Sequence, residues 1–220
     1  MSGAFTTGDV ILNLFSGAVA LLVSYYAYKY NRLVSNSVLR FIGLGFTALG
    51  VGLLVEAMTA LSVAFLDHTR ATEATLLLAS TLAYLVLQFL GYLVIAIGYT
   101  VGAFSAGNSG ATVLALLIPN SPPLRYYFLR VGDNIVASFI IIVLLAFVVF
   151  QGLLIYREHR NRLSLLVLAG FTFILLGQLV TLGSLLILSP AVYFVGDFIR
   201  FGGFLAMLMF LVGSGKVEPT

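Results

Sequence analysis

Apolar stretches long enough to cross a bilayer recur along this chain, and they limit its fold more than any other feature. A helix needs about 20 apolar residues to span roughly 30 Å of hydrocarbon, and Ile135–Tyr156 and Leu165–Leu188 both reach that length. The full set of expected spans is Asp9–Lys29, Leu39–Leu66, Thr75–Phe104, Asn134–Tyr156, Arg162–Leu188 and Ala191–Val212. Charged residues make up 9% of the 220 and hydrophobic ones 61%, which leaves room for one all-α integral membrane domain and for no soluble domain beside it. Any output is then expected to pass through a protein partner or a second copy. Met1–Thr7 carries no Lys or Arg, and the apolar run after it is too long for a signal-peptide core, so the first helix is expected to be retained.

The segment between the third and fourth spans decides the topology. Here an apolar piece, Ala111–Ile118, runs into Pro119, Pro122 and Pro123 before Leu124–Val131, and proline removes helical hydrogen bonds. A kinked crossing, a re-entrant piece and an interfacial helix all fit this pattern. Basic residues favour the crossing, because short cytoplasmic loops collect Lys and Arg. With seven crossings, Lys29, Arg32 and Arg40 share one side with Arg157, Arg160, Arg162 and Lys216, leaving Arg70, Arg125 and Arg130 opposite. With six, the bias vanishes. The expected topology is thus a seven-helix transmembrane bundle in the cell membrane, N-terminus outside and C-terminus cytoplasmic.

An internal repeat supports that count. Gly45-Phe46-Thr47, Gly52, Leu54 and Val55 recur at constant spacing as Gly170-Phe171-Thr172, Gly177, Leu179 and Val180. Gly8-Asp9 matches Gly132-Asp133, Asn31-Arg32-Leu33 matches Asn161-Arg162-Leu163, and Tyr84, Val86 and Phe89 match Tyr193, Val195 and Phe198. Two three-helix units, residues 8–104 and 132–213, are expected to lie parallel. A proline-broken linker helix over 105–131 joins them, and a short tail, 214–220, follows. An extra crossing is what makes consecutive three-helix units parallel rather than inverted.

Ionisable groups deep in a bilayer are costly and normally find a partner or a wet cavity. Glu56, Asp197 and Arg200 lie roughly 15 Å from a helix end at 1.5 Å per residue, and Gln88 and Gln178 fall at similar depth. A single polar layer through four helices is expected, with Asp197 and Arg200 paired across three residues of one helix face. It reads equally as a structural ion pair and as a ligand or proton site. Gly45, Gly52, Gly98, Gly102, Gly170, Gly177, Gly196, Gly202 and Gly203 are expected to let helices approach closely. Tyr25, Tyr26, Tyr28 and Tyr30 are expected to form an interfacial belt with Tyr126 and Tyr127 opposite, and Asp9 and Asp133 to cap helix starts.

Several chemistries drop out. The chain has no Cys, and its two histidines, His68 and His159, fall in expected loops, so neither a thiolate metal site nor a bis-histidine haem is expected. Covalent retinal would need a lysine where the last span has only Arg200. No histidine lies near the deep carboxylates to build a catalytic pair. Neither an enzyme, a cofactor, a metal nor a nucleic-acid partner is expected, the basic residues being accounted for by membrane orientation.

Tyr28–Arg40 followed by Phe41-Ile42-Gly43-Leu44-Gly45-Phe46-Thr47, with Glu56 deeper in the same helix, resembles small uncharacterised archaeal membrane proteins built from three helices. Here the unit is doubled, with Thr181 standing where the first copy has Glu56. In outline the chain is similar to the membrane-embedded sensory domains of microbial histidine kinases. This implies a non-enzymatic sensor, receptor-like protein or accessory subunit of a larger membrane complex. The alternative is a small-solute carrier, since a three-plus-one-plus-three layout is similar to that of SWEET transporters, although their paired Pro-Gln motif is absent.

Overall fold

Helix starts and stops follow local chemistry more closely than hydropathy does. The computed structural model describes residues 3–34, 37–65, 70–105, 131–159, 162–187 and 189–214. They form six helices: α1 (Gly3–Val34), α2 (Ser37–Phe65), α3 (Arg70–Ser105), α4 (Val131–His159), α5 (Arg162–Ile187) and α6 (Pro190–Ser214). The tight turn into α6 shows the local logic. Ser189 precedes Pro190, whose missing N–H and fixed φ suit the first helical position, and the Ser189 carbonyl accepts the Tyr193 N–H at 3.2 Å.

All six helices are long and apolar enough to cross a bilayer, which makes this a multi-pass membrane protein. Among the described residues there are six such helices rather than the expected seven. The linker helix expected over 105–131 falls on 106–130, which lie outside the described residues, as do Tyr126 and Tyr127.

The helices stand in a ring in chain order, and α6 closes it against α1. Their directions can be read from paired contacts. In α1 and α2, Gly17 faces Leu54, Gly50 faces Leu21, Ser24 meets Thr47 at 2.7 Å and Gly43 faces Tyr28, so the two are antiparallel. Gly45 and Gly91 approach each other across α2 and α3, and Gly170 and Gly203 do so across α5 and α6. Those pairs are antiparallel too. By contrast α1 and α6 start at the same end, where a Cβ on Gly8 would lie 3.3 Å from Phe194.

Helices α3 and α4 also run in the same direction. Leu85 to Leu90 share a cavity wall with Ala137 to Ile141, while Tyr99 shares another with Gly152 and Ile155. Therefore α1, α3, α4 and α6 all begin at one end of the bundle, called here the amino end. Lys29, Arg32, Arg40, Arg157 and Arg162 all lie at the opposite, basic end.

Small residues bring the backbones together, as membrane helices require in the absence of a hydrophobic drive. A Cβ on Gly91 would lie 2.8 Å from the Gly45 carbonyl oxygen, and one on Gly203 would lie 2.7 Å from that of Gly170. Gly202, expected to pack in the same way, faces nothing within 4 Å, and the Gly102 environment lies outside the described residues. Since Gly45 and Gly170 are repeat partners, these contacts make Gly91 the counterpart of Gly203. The alignment of Tyr84 with Tyr193 is thus corrected by about one turn, to Tyr84 with Gly196 and Gln88 with Arg200. Aromatic identities at helical spacing recur one turn apart and misled the match.

Side chains fill the middle of the ring. Phe46 and Phe171, partners in the repeat, meet at 6.2 Å between ring centroids, Phe204 lies 5.9 Å from Phe46, and Tyr99 lies 6.0 Å from Phe171. Such aromatic pairs add about 0.5–1.5 kcal/mol each beyond simple burial. With Tyr92, Ile95, Ile174 and Met207, all fully buried, they form an aromatic plug toward the basic end. Beyond it, where Gly152 occupies the place that Tyr28 has in the first unit, an apolar cavity of about 280 Å³ opens beside Ile42, Tyr99 and Phe210.

Candidate functional site

On the amino-end side of the plug lies the polar layer. Asp197 and Arg200 sit three residues apart on α6, which puts them on one face, and their Oδ1 and Nη2 atoms are 2.9 Å apart. Both are almost wholly buried, at 1% and 4% exposed. Arg200 also donates from Nη1 to the Tyr84 hydroxyl on α3 at 2.7 Å. On the other side, Gln88 Nε2 on α3 donates to Gln178 Oε1 on α5 at 3.3 Å. The layer therefore ties the first three-helix unit to the second.

Glu56 faces the same small cavity, of about 70 Å³, together with Gln88, Gln178 and Arg200. Four of the five expected residues thus line one space, and the fifth, Asp197, is held to it through Arg200. Reading the sequence missed the remaining polar lining, Thr81, Tyr84, Ser138, Thr181 and Tyr193. Tyr84 and Tyr193 had a usable signal. A phenol buried well inside a span needs a hydrogen-bond partner, which the tyrosines clustered at the end of α1 do not. Those belong with the belt: Tyr26 stacks on Tyr30 at 6.3 Å, and Lys29 Nζ stands 6.0 Å from the Tyr26 ring.

Hydroxyls in the layer are partly satisfied by their own helix. Thr181 donates to the Gly177 carbonyl at 3.0 Å and Ser184 to that of Thr181 at 2.6 Å. Other polar atoms are left over. Asp197 Oδ2 and Arg200 Nε have no hydrogen-bond partner among the described residues. Bridging water is the usual way such groups are satisfied, and the cavity exceeds the roughly 10–15 Å³ that one water needs.

Asp9 plays a different part from the expected cap. No proline stands between Gly3 and Asp9; α1 begins at Gly3, and Asp9 lies more than one turn inside it. Its Oδ1 is buried without a partner among the described residues, and the carboxyl lies within electrostatic range of Asp197 and Glu56. The layer thus sees three carboxyls and one guanidinium. It also sits off-centre. Gln178 is about 14 Å from the amino-end terminus of α5 and about 24 Å from the other, at 1.5 Å per residue.

The amide pair gives a modest test. Hydrogen bonds between membrane helices average about 0.6 kcal/mol and reach about 1.7, so a double-mutant cycle on Gln88→Leu and Gln178→Leu should return a coupling in that range. A coupling near zero in reversible unfolding would mean that the two amides do not bond.

Comparison with known protein families, curated proteins and solved structures finds no match to this chain.

Proposed function

We propose that this protein is a non-enzymatic, receptor-like membrane protein, a sensor or an accessory subunit of a larger membrane complex, whose working centre is the polar layer around Glu56 and Arg200. One observation carries this reading. A charged, cavity-lining cluster drawn from several helices stands on one side of a packed aromatic plug, an arrangement that can register a condition at one face without passing material through. Acids, amides, phenols and a guanidinium supply that cluster, and neither a histidine nor a cysteine lines it.

Seven crossings belong to this proposal. Helix α3 ends at the basic end and α4 begins at the amino end, which supports a further crossing between them. Residues 106–130 outnumber the roughly 20 that a helical crossing needs. Both basic stretches at one end support, by the positive-inside rule, a cytoplasmic basic end and an external N-terminus.

The alternative, a small-solute carrier of three-plus-one-plus-three layout, draws on the paired Gly45–Gly91 and Gly170–Gly203 contacts around a shared centre. Parallel repeats enclosing a polar site are a known carrier plan.

Two experiments test the proposal. Single cysteines at Arg32 and Arg157, introduced into a chain with no native Cys, should both react with a membrane-impermeant thiol reagent from the cytoplasmic side. Labelling from opposite sides would end the seven-crossing topology. Purification in mild detergent should then recover a stoichiometric protein partner. A partner-free protein whose melting temperature rises with a small solute would favour the carrier.

A further inference from the structure

We propose that the layer is a proton site, that Glu56 is the group taking up and releasing the proton, and that it is reached from the amino end alone. This rests on the reading of the layer as the working centre and names what that centre responds to.

The charge balance comes first. The charged side chains facing Glu56 are Asp9 on α1 and Asp197 and Arg200 on α6, with the phenols of Tyr84, Tyr92 and Tyr193 beside them. The lining contributed by α4 and α5 is uncharged: Ser138, Gln178, Thr181 and Leu185. Arg200 is already committed to Asp197 at 2.9 Å and to Tyr84 at 2.7 Å. Its single positive charge offsets one carboxylate. Two more carboxyls, those of the partly buried Glu56 and Asp9, lie within electrostatic range of the pair, and a carboxylate inside a membrane span that no cation offsets is costly. A proton removes that cost without any new side chain.

Room and a route come next. Glu56 and Arg200 line the same cavity, and Arg200 is 4% exposed yet leaves Nε without a hydrogen-bond partner among the described residues. That unfilled donor on a buried cation marks a place for water. From there polar groups continue toward the amino end, where the Tyr193 phenol lies near Asp197 and Glu56 and the Asp9 carboxyl lies within electrostatic range of Asp197. Toward the basic end, Phe46, Phe171, Phe204 and Met207 close the ring. The acids do not converge as metal ligands, for no group of three or more His, Cys, Asp or Glu able to hold a metal ion is found among the described residues. A proton passed along water needs no such convergence. A hydronium ion at the amino end gives its proton to a water in the cavity, which relays one to a Glu56 carboxylate oxygen, and the reverse path restores the carboxylate.

The test is infrared titration of the full chain in lipid nanodiscs. A carbonyl band of a protonated carboxyl should titrate with pH in the parent, vanish in Glu56→Gln, and return shifted in Glu56→Asp. Persistence of every titrating band in Glu56→Gln overturns the assignment. So does a titration displaced by sodium at constant ionic strength, which would name a metal cation instead. Should Glu56→Gln fail to fold, Glu56→Asp against the parent decides, since an unshifted band excludes Glu56. For the route, Ser138→Cys should react with a charged thiol reagent applied in cells from the amino end, and Leu145→Cys, about two turns farther along α4 and fully buried, should not. Reaction of Ser138→Cys from the basic end, or from neither, overturns one-sided access. A recovered protein partner alongside a silent Glu56 would overturn the proton site and leave the receptor-like reading intact.

Discussion

Replacing Asp197 by alanine is expected to destabilise the protein by up to about 3–5 kcal/mol, because it removes the one carboxylate paired directly with the buried Arg200 and leaves Glu56, across the cavity, as its nearest acid. The two side chains are nearly inaccessible, and only Tyr84 would remain bonded to the guanidinium. Removing both charges should be far milder. Asp197→Ala combined with Arg200→Met is expected to recover most of the loss, since apolar groups of similar volume often match or exceed a buried ion pair in stability. Reversible unfolding in mixed micelles measures all three proteins. If the single variant melts like the parent, the pair is solvated in the native state and the buried layer described here is wrong.

The second large effect concerns the contact between α5 and α6. A Cβ on Gly177 would lie 2.7 Å from both the Arg200 backbone nitrogen and the Gly196 carbonyl oxygen. Backbone atoms cannot step aside as a flexible side chain can. Gly177→Ala should cost about 1–3 kcal/mol, and Gly177→Leu should prevent the two helices from docking. Gly183, on the same helix, has nothing within 4 Å of its would-be Cβ. There, alanine should be neutral or stabilise by up to about 1 kcal/mol through helix propensity. Equal responses at the two glycines would show that α5 and α6 pack through some other face.

These contrasts show what could be read from the residues alone. The spans were legible because apolar length is nearly sufficient to define a membrane helix. Their ends were not. Helix α3 starts at Arg70 and not at Thr75, and α1 at Gly3 rather than Asp9, because a helix continues through polar residues that hydropathy counts as loop. Asp197 and Arg200 were legible as a pair from their spacing, and Glu56, Gln88 and Gln178 as neighbours from depth. The register between units was not, since it depends on which glycine meets which backbone. Gly91 against Gly45, and Gly203 against Gly170, settle that geometry, and they moved the partner of Gln88 to Arg200. Tyr84 and Tyr193 were hidden because tyrosines near span ends are common, and only three-dimensional depth separates them from the belt.

The ring closes only when the last helix reaches the first, which bears on biogenesis. During synthesis α6 enters the membrane carrying two formal charges, those of Asp197 and Arg200. Carrying acid and base one turn apart on the same segment lets that segment arrive self-neutralised, so insertion can precede assembly.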